Sequence, residues 1–190
     1  MAKKRKLKLR KNAKVVLIVV VLAIFLVGVV GFIFSNKRQY ATEGVFLDEA
    51  YGVTITTMLV NENAINRPQI KREIRYIVIH ETDNFSSSAT AQNHALYLVD
   101  NSDERVNGWH YTVDENEIYH SIPDDEVAWH AGDQRKENGG NMTGIGIELC
   151  VNEGSDFDQT FINGAKLTAA LCKEYNLTIK DVKQHYDFSK

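Results

Sequence analysis

Cysteine is scarce: Cys150 and Cys172 are the only two in 190 residues. A disulfide framework in so small a domain would need more of them. Their contexts, GIGIELC and AALCKEY, read as a strand and an apolar helix stripe. Both are therefore expected to be small buried hydrophobes, although the sequence leaves a single bridge open. No internal repeat or low-complexity tract occurs beyond a basic tail and one apolar run. The first 14 residues contain no acid and eight basic groups, Lys3 through Lys14. Removing them from the chain totals leaves 14 basic against 25 acidic residues, so residues 15–190 carry a formal charge of −11 while the whole chain carries −3. That balance excludes nucleic acid as a partner, because phosphate binding needs a concentrated basic surface.

Charge is also missing from Val15 to Phe34, the 20-residue run VVLIVVVLAIFLVGVVGFIF. At about 1.5 Å per residue, a helix of this length spans the ~30 Å core of a bilayer. A secretory signal would have a shorter apolar region ending in an A-x-A-like site, and Ser35-Asn36-Lys37-Arg38 offers none. The run is expected to be an uncleaved, single-pass membrane anchor. Eight basic residues before it outweigh Lys37 and Arg38 after it, which keeps residues 1–14 in the cytoplasm and sends the rest outside. The length leaves room for one ordinary domain plus this appendage.

Residues 35–57 show mixed polarity and no sustained period, and read as a stalk. Asn61 to Arg67 is polar and Pro68 breaks any helix, giving a lead-in loop. The folded part is expected to begin near Ile74, where IRYIVIH forms a buried strand. Ala89 to Val99 reads as a helix, WHYTVD and EIYHSI around Glu115-Asn116 as a hairpin, and Val127 to His130 as another short strand. Gly139-Gly140-Asn141 is expected to be a loop, Gly144 to Val151 a strand, and Phe157 to Tyr175 a helix with an apolar stripe. Val182 to His185 closes the chain as a short strand or turn. Strands and helices interspersed over about 130 residues predict an α/β fold with a single mixed central β-sheet flanked by helices.

Six histidines fall in this one domain (His80, His94, His110, His120, His130 and His185), which raises a metal hypothesis. There is no H-E-x-x-H pair and no C-x-x-C, so any site must be assembled from distant segments. His80 ends an apolar strand beside the polar loop Glu81-Thr82-Asp83-Asn84. That position suits a ligand, and equally a capping histidine. In the strand 144–151, alternation puts Gly144, Gly146, Glu148 and Cys150 on one face. A carboxylate beside two glycines has open space above it, and burial would raise its pKa toward that of a general base. An edge-strand salt bridge is the competing reading.

The segments YIVIHETDN, ATAQNHALYL, WHYTVDENEIYHSIPDDEVAWHAGD, GIGIELCVN and VKQHYDFSK appear in that order. Together they resemble the zinc-dependent N-acetylmuramoyl-L-alanine amidases of the phage-lysozyme and peptidoglycan-recognition-protein superfamily, the amidase-2 family. The resemblance covers roughly residues 58–190 and implies an amidase domain there. It also implies Zn2+ as cofactor, with His80 and His185 as metal ligands, and Glu148 as general base. Trp109 and His110 would form the cleft floor, His130 would line the groove, and Lys190 would sit near the oxyanion. The family's third ligand, a Cys or Asp, is expected near position 193, so relative to the family the domain is C-terminally truncated.

What the resemblance implies is hydrolysis of the amide bond between N-acetylmuramic acid and L-alanine in peptidoglycan, on the cell-wall side of a bacterial membrane. The alternative, raised by the missing third zinc ligand, is a non-catalytic or damaged peptidoglycan-binding module whose groove uses Trp109, Tyr111 and Trp129 as aromatic grips.

Overall fold

The computed structural model describes residues 38–62, 64–100 and 106–189. The expected anchor, residues 15–34, and Lys190 lie outside the described residues. Among the described residues, no helix is long and apolar enough to cross a membrane. The chain divides into two units, Met1–Gln39 and Tyr40–Lys190, and the second carries everything that follows.

Among the described residues, seven strands form one sheet in the order β1-β2-β5-β4-β6-β3-β7. They are β1 (Glu49–Ala50), β2 (Val53–Thr57), β3 (Tyr76–Glu81), β4 (Tyr111–Val113), β5 (Ile118–His120), β6 (Gly144–Leu149) and β7 (Val182–Gln184). β1/β2 and β4/β5 are antiparallel pairs, whereas β2/β5, β4/β6, β6/β3 and β3/β7 are parallel. The sheet is mixed, as the sequence predicts.

Helix α1 (Ala91–Val99) starts where Thr90 accepts a hydrogen bond from the Asn93 amide, and its buried residues Ala91, His94, Ala95 and Leu98 make one stripe. Ala91 and Ala95 pack with Tyr119 and Cys150 on one face of the sheet. Helix α3 (Phe157–Glu174) is capped by Asp156. It ends before Asn176, whose φ of 51° is a left-handed conformation that asparagine tolerates. Leu167 and Leu171 of α3 join Ile77, Ile145, Ile147 and Leu149 in the main core on the opposite face.

Three expectations need correction. Residues 35–57 are not all stalk: Val53 and Ile55 point into the core while Thr54 and Thr57 face out, and β2 pairs with β5. The β1–β2 turn has positive φ at both Tyr51 (48°) and Gly52 (82°), the two-residue hairpin geometry that matches strand twist. From Val45 to Leu47 the chain is already docked, the Val45 amide donating to the Tyr175 hydroxyl at 2.9 Å. Second, Val127 to His130 is not a strand, since the amides of His130 and Ala131 donate to Asn141 Oδ1 and not to a ladder. Third, the expected loop at Gly139–Asn141 contains the start of a one-turn helix, α2 (Gly140–Thr143), held by Asp133 through the Gly140 amide at 2.6 Å. No disulfide joins the cysteines, and Cys150 is fully buried.

Candidate active site

The site lies on the α1-side face of β3, β4 and β6. Parallel pairing sets His80 directly beside Glu148, and Glu148 directly beside Thr112. Thr112 is fully buried and its Oγ1 accepts a 2.7 Å hydrogen bond from Trp109 Nε1. Backbone register therefore places the candidate base, a candidate ligand and the indole wall together.

Two histidines flank His80. Its Nε2 lies 3.0 Å from His130 Nδ1, and its Nδ1 lies 3.1 Å from Nδ1 of His185, which follows β7 in a 3-10 turn. Burial and the neighbouring His185 pull the His80 imidazole down to about 3, so it is neutral at physiological pH. Two Nδ1 atoms facing each other at this spacing fit adjacent corners of a tetrahedral zinc, whose Zn–N bonds are about 2.0–2.1 Å. His80 is buried and His185 exposed, which gives a metal a path in from solvent. Among the described residues no group of three His, Cys, Asp or Glu converges on one point. The pair supplies two donors.

Glu148 is half-buried, and its carboxylate pairs with no described side chain. Desolvation alone pushes it up to about 8. The edge-strand reading fails, for β6 is a central strand and, among the described residues, no cation pairs with the carboxylate. The space expected over Gly146 is not open. A Cβ on Gly146 would lie 2.6 Å from His130 Cγ, so this glycine is where the His130 ring rests.

Two further expectations change. His110 is completely buried beneath the site: the Gly146 amide donates to its Nδ1 at 2.9 Å, and its Nε2 lies 3.0 Å from the Glu126 carbonyl. Burial holds it well below the usual histidine range, with Arg72 adding to the shift. It supports the site from behind and forms no cleft floor. Tyr111 is also fully buried, donating to Asp124 at 3.1 Å, so it cannot serve as an aromatic grip. Trp109 does reach a cavity of about 670 Å³, lined also by Thr82, Asn84, Asn93, His94 and Tyr97. Tyr97 stacks on it at 11° between planes. The polar lining from α1, including His94 and Asn93, was missed in the sequence; the only available signal was the N-terminal polarity of that helix. Cys150, 3.9 Å from His94 Nδ1, is no nucleophile, because burial pushes its thiol up.

The fold is that of the amidase-2 endolysins. The solved catalytic domain of XlyA matches with a TM-score of 0.68 at 36% identity, covering 72% of this chain and 87% of that one. A mutant endolysin from Bacillus subtilis matches equally well, at 0.68 and 36%, over 72% and 86% of the two chains. The family pattern for N-acetylmuramoyl-L-alanine amidase, Amidase_2, matches residues 70–190, and the chain belongs to this family. The N-acetylmuramoyl-L-alanine amidase XlyA of Bacillus subtilis (strain 168) is 37% identical over 133 residues, 70% of this chain and 43% of that protein. CwlH of the same strain, of the same description, is 38% identical over 138 residues, 72% of this chain and 54% of that protein. The chain thus spans about half the length of the curated relatives it matches.

Proposed function

We propose that this chain is a peptidoglycan hydrolase that cleaves the amide bond between N-acetylmuramic acid and the L-alanine of the stem peptide. The observation that carries the reading is a desolvated carboxylate, Glu148, paired with no described side chain and set by strand register beside His80, whose Nδ1 faces His185 Nδ1 at 3.1 Å. Zinc, held by His80 and His185, would supply a water of lowered pKa and polarise the scissile carbonyl. A cation there also favours the ionised form of Glu148. Glu148 takes a proton from the attacking water on its carboxylate and returns it to the departing L-alanine nitrogen. Trp109, buttressed by Thr112 and Tyr97, walls the cavity that receives the substrate. His130 is not an oxyanion donor in this scheme, because both its ring nitrogens are engaged within the protein.

A binding module is the weaker reading, for such a module gains nothing from a carboxylate kept desolvated and unpaired. The apolar run Val15–Phe34 anchors the chain, with the amidase unit on the cell-wall side, as the charge asymmetry around the run supports. The test is mass spectrometry of purified peptidoglycan after incubation with the full chain and zinc. Release of stem peptides with a free L-alanine amino group, abolished by chelation and in Glu148→Gln, is expected. Release of sugar reducing ends instead, or unchanged release by the Gln variant, would refute the reading.

A further inference from the structure

We propose that His130 is a positioning residue that fixes the tautomer of His80, leaving His80 Nδ1 bare for a metal. The inference rests on the metal reading above for its purpose, but on hydrogen-bond geometry for its substance. The logic starts at a carbonyl, which can only accept. His130 Nε2 lies 3.1 Å from the Gly144 carbonyl oxygen, so Nε2 must carry a hydrogen and donate it. The ring is buried against His80, His110 and Gly146, and among the described residues no carboxylate lies within ion-pair reach of it, so nothing balances a second ring proton. Its Nδ1 is then a bare acceptor. His80 Nε2, 3.0 Å away, must donate to it, which leaves the His80 lone pair on Nδ1. That lone pair is the one facing His185 at 3.1 Å.

The rest of the surroundings hold His130 still. Gly146 leaves room for its ring to lie flat on β6. Asn141 Oδ1 accepts from the His130 and Ala131 amides at 2.8 and 2.7 Å, and Asp133 in turn caps the helix turn that carries Asn141. A groove-lining residue would need none of this, and at 8% exposure His130 offers almost no surface to a ligand. The relay Gly144 C=O, His130, His80 is the arrangement by which a ligating imidazole has its other nitrogen oriented from behind.

The experiment uses the full chain in detergent micelles, with 15N-labelled histidine and a chelator present. Long-range 1H–15N correlations are expected to show His80 with a pyrrole-like Nε2 and a pyridine-like Nδ1, and His130 likewise. A wild-type His80 protonated on Nδ1, or exchanging between tautomers, overturns the proposal without recourse to any variant. His130→Phe should let His80 sample both tautomers and should weaken zinc binding, measured by competition with a chelator, by about 10–100-fold. His130→Asn, whose Oδ1 replaces the acceptor, should keep the His80 tautomer and lose less than about tenfold. A folded His130→Phe with unchanged His80 signals refutes the relay. Fixed tautomers without any zinc-induced shift at His80 Nδ1 would leave the relay standing and overturn the metal reading instead.

Discussion

Replacing Glu148 by Gln should raise stability and abolish hydrolysis, and the stability gain should depend on pH in a defined direction. In the metal-free fold, burial moves the carboxyl from an ordinary 4.5 to about 8. Below about pH 4.5 both folded and unfolded chains hold the proton. Between there and about pH 8 the unfolded chain releases it while the folded chain keeps it, so the unfolded state binds fewer protons and stability falls as pH rises. At about 1.4 kcal/mol per pKa unit, the ceiling on this loss is about 5 kcal/mol. Partial exposure of the side chain and relaxation of the cleft reduce it to roughly 1–3 kcal/mol. Gln has no proton to release and removes that slope. Urea denaturation of both proteins with chelator present, at intervals from pH 5 to 9, should show the Gln variant gaining on wild type until about pH 8 and by a constant amount above. The same substitution should cost about 10²–10⁴ in hydrolysis with zinc restored. Stability curves that stay parallel across the range would show that Glu148 is not desolvated, and the argument for it as base would lose its physical ground.

Gly146→Ala drives a methyl into the His130 ring and should cost about 1–3 kcal/mol by denaturation, with the His130 ring signals displaced. Tyr175→Phe removes the hydroxyl that donates to buried Asp124 at 2.5 Å and accepts from the Val45 amide. A loss of about 1–3 kcal/mol is expected, with hydrogen exchange accelerated more at the Val45 amide than at amides of the sheet. Tyr97→Ala takes away the ring stacked on Trp109 and should raise KM for peptidoglycan fragments about 2–10-fold with a smaller change in kcat. Equal loss in both constants would place Tyr97 outside the substrate cavity.

Periodicity recovered the elements that bury one continuous face. The strand around His80, the 111–120 hairpin, β6 and α3 each carry enough apolar residues to declare their period. β1 and β2 escaped because VTITT is five residues long and its turn, Tyr51-Gly52, lacks the asparagine or aspartate that marks a two-residue hairpin. α2 escaped because Gly139-Gly140 reads as a breaker, whereas Asp133, seven residues upstream, accepts from the Gly140 amide. The polar segment Asn61 to Arg67 looked like solvent-facing loop, yet Arg67 is buried in a bidentate pair with Glu126 at 2.8 and 3.0 Å. No local pattern signals a partner 59 residues away. For the site, alternation identified the face of Glu148 correctly but could not give depth. His110 lies beneath His130, their ring centroids 5.7 Å apart, so one histidine covers the other. His185 was reachable only through family resemblance, since VKQHYD contains no sign of the 3-10 turn that aims its ring at His80.

The strand β6 shows why site and core are inseparable here. Its odd residues, Ile145, Ile147 and Leu149, pack under α3 in the main core, while its even residues carry Gly146 and Glu148 to the site. A slip of one residue against β3 would exchange the two faces, burying a carboxylate among leucines and turning isoleucine toward His80. The cost of that exchange, several buried apolar side chains at about 1.5–3 kcal/mol each, is what holds the His80–Glu148 pairing in register. The desolvation of Glu148 is thus maintained by the opposite face of its own strand. The stability that its raised pKa removes is small against the packing that keeps it in place, which is how an unpaired carboxylate can persist in the middle of a seven-stranded sheet.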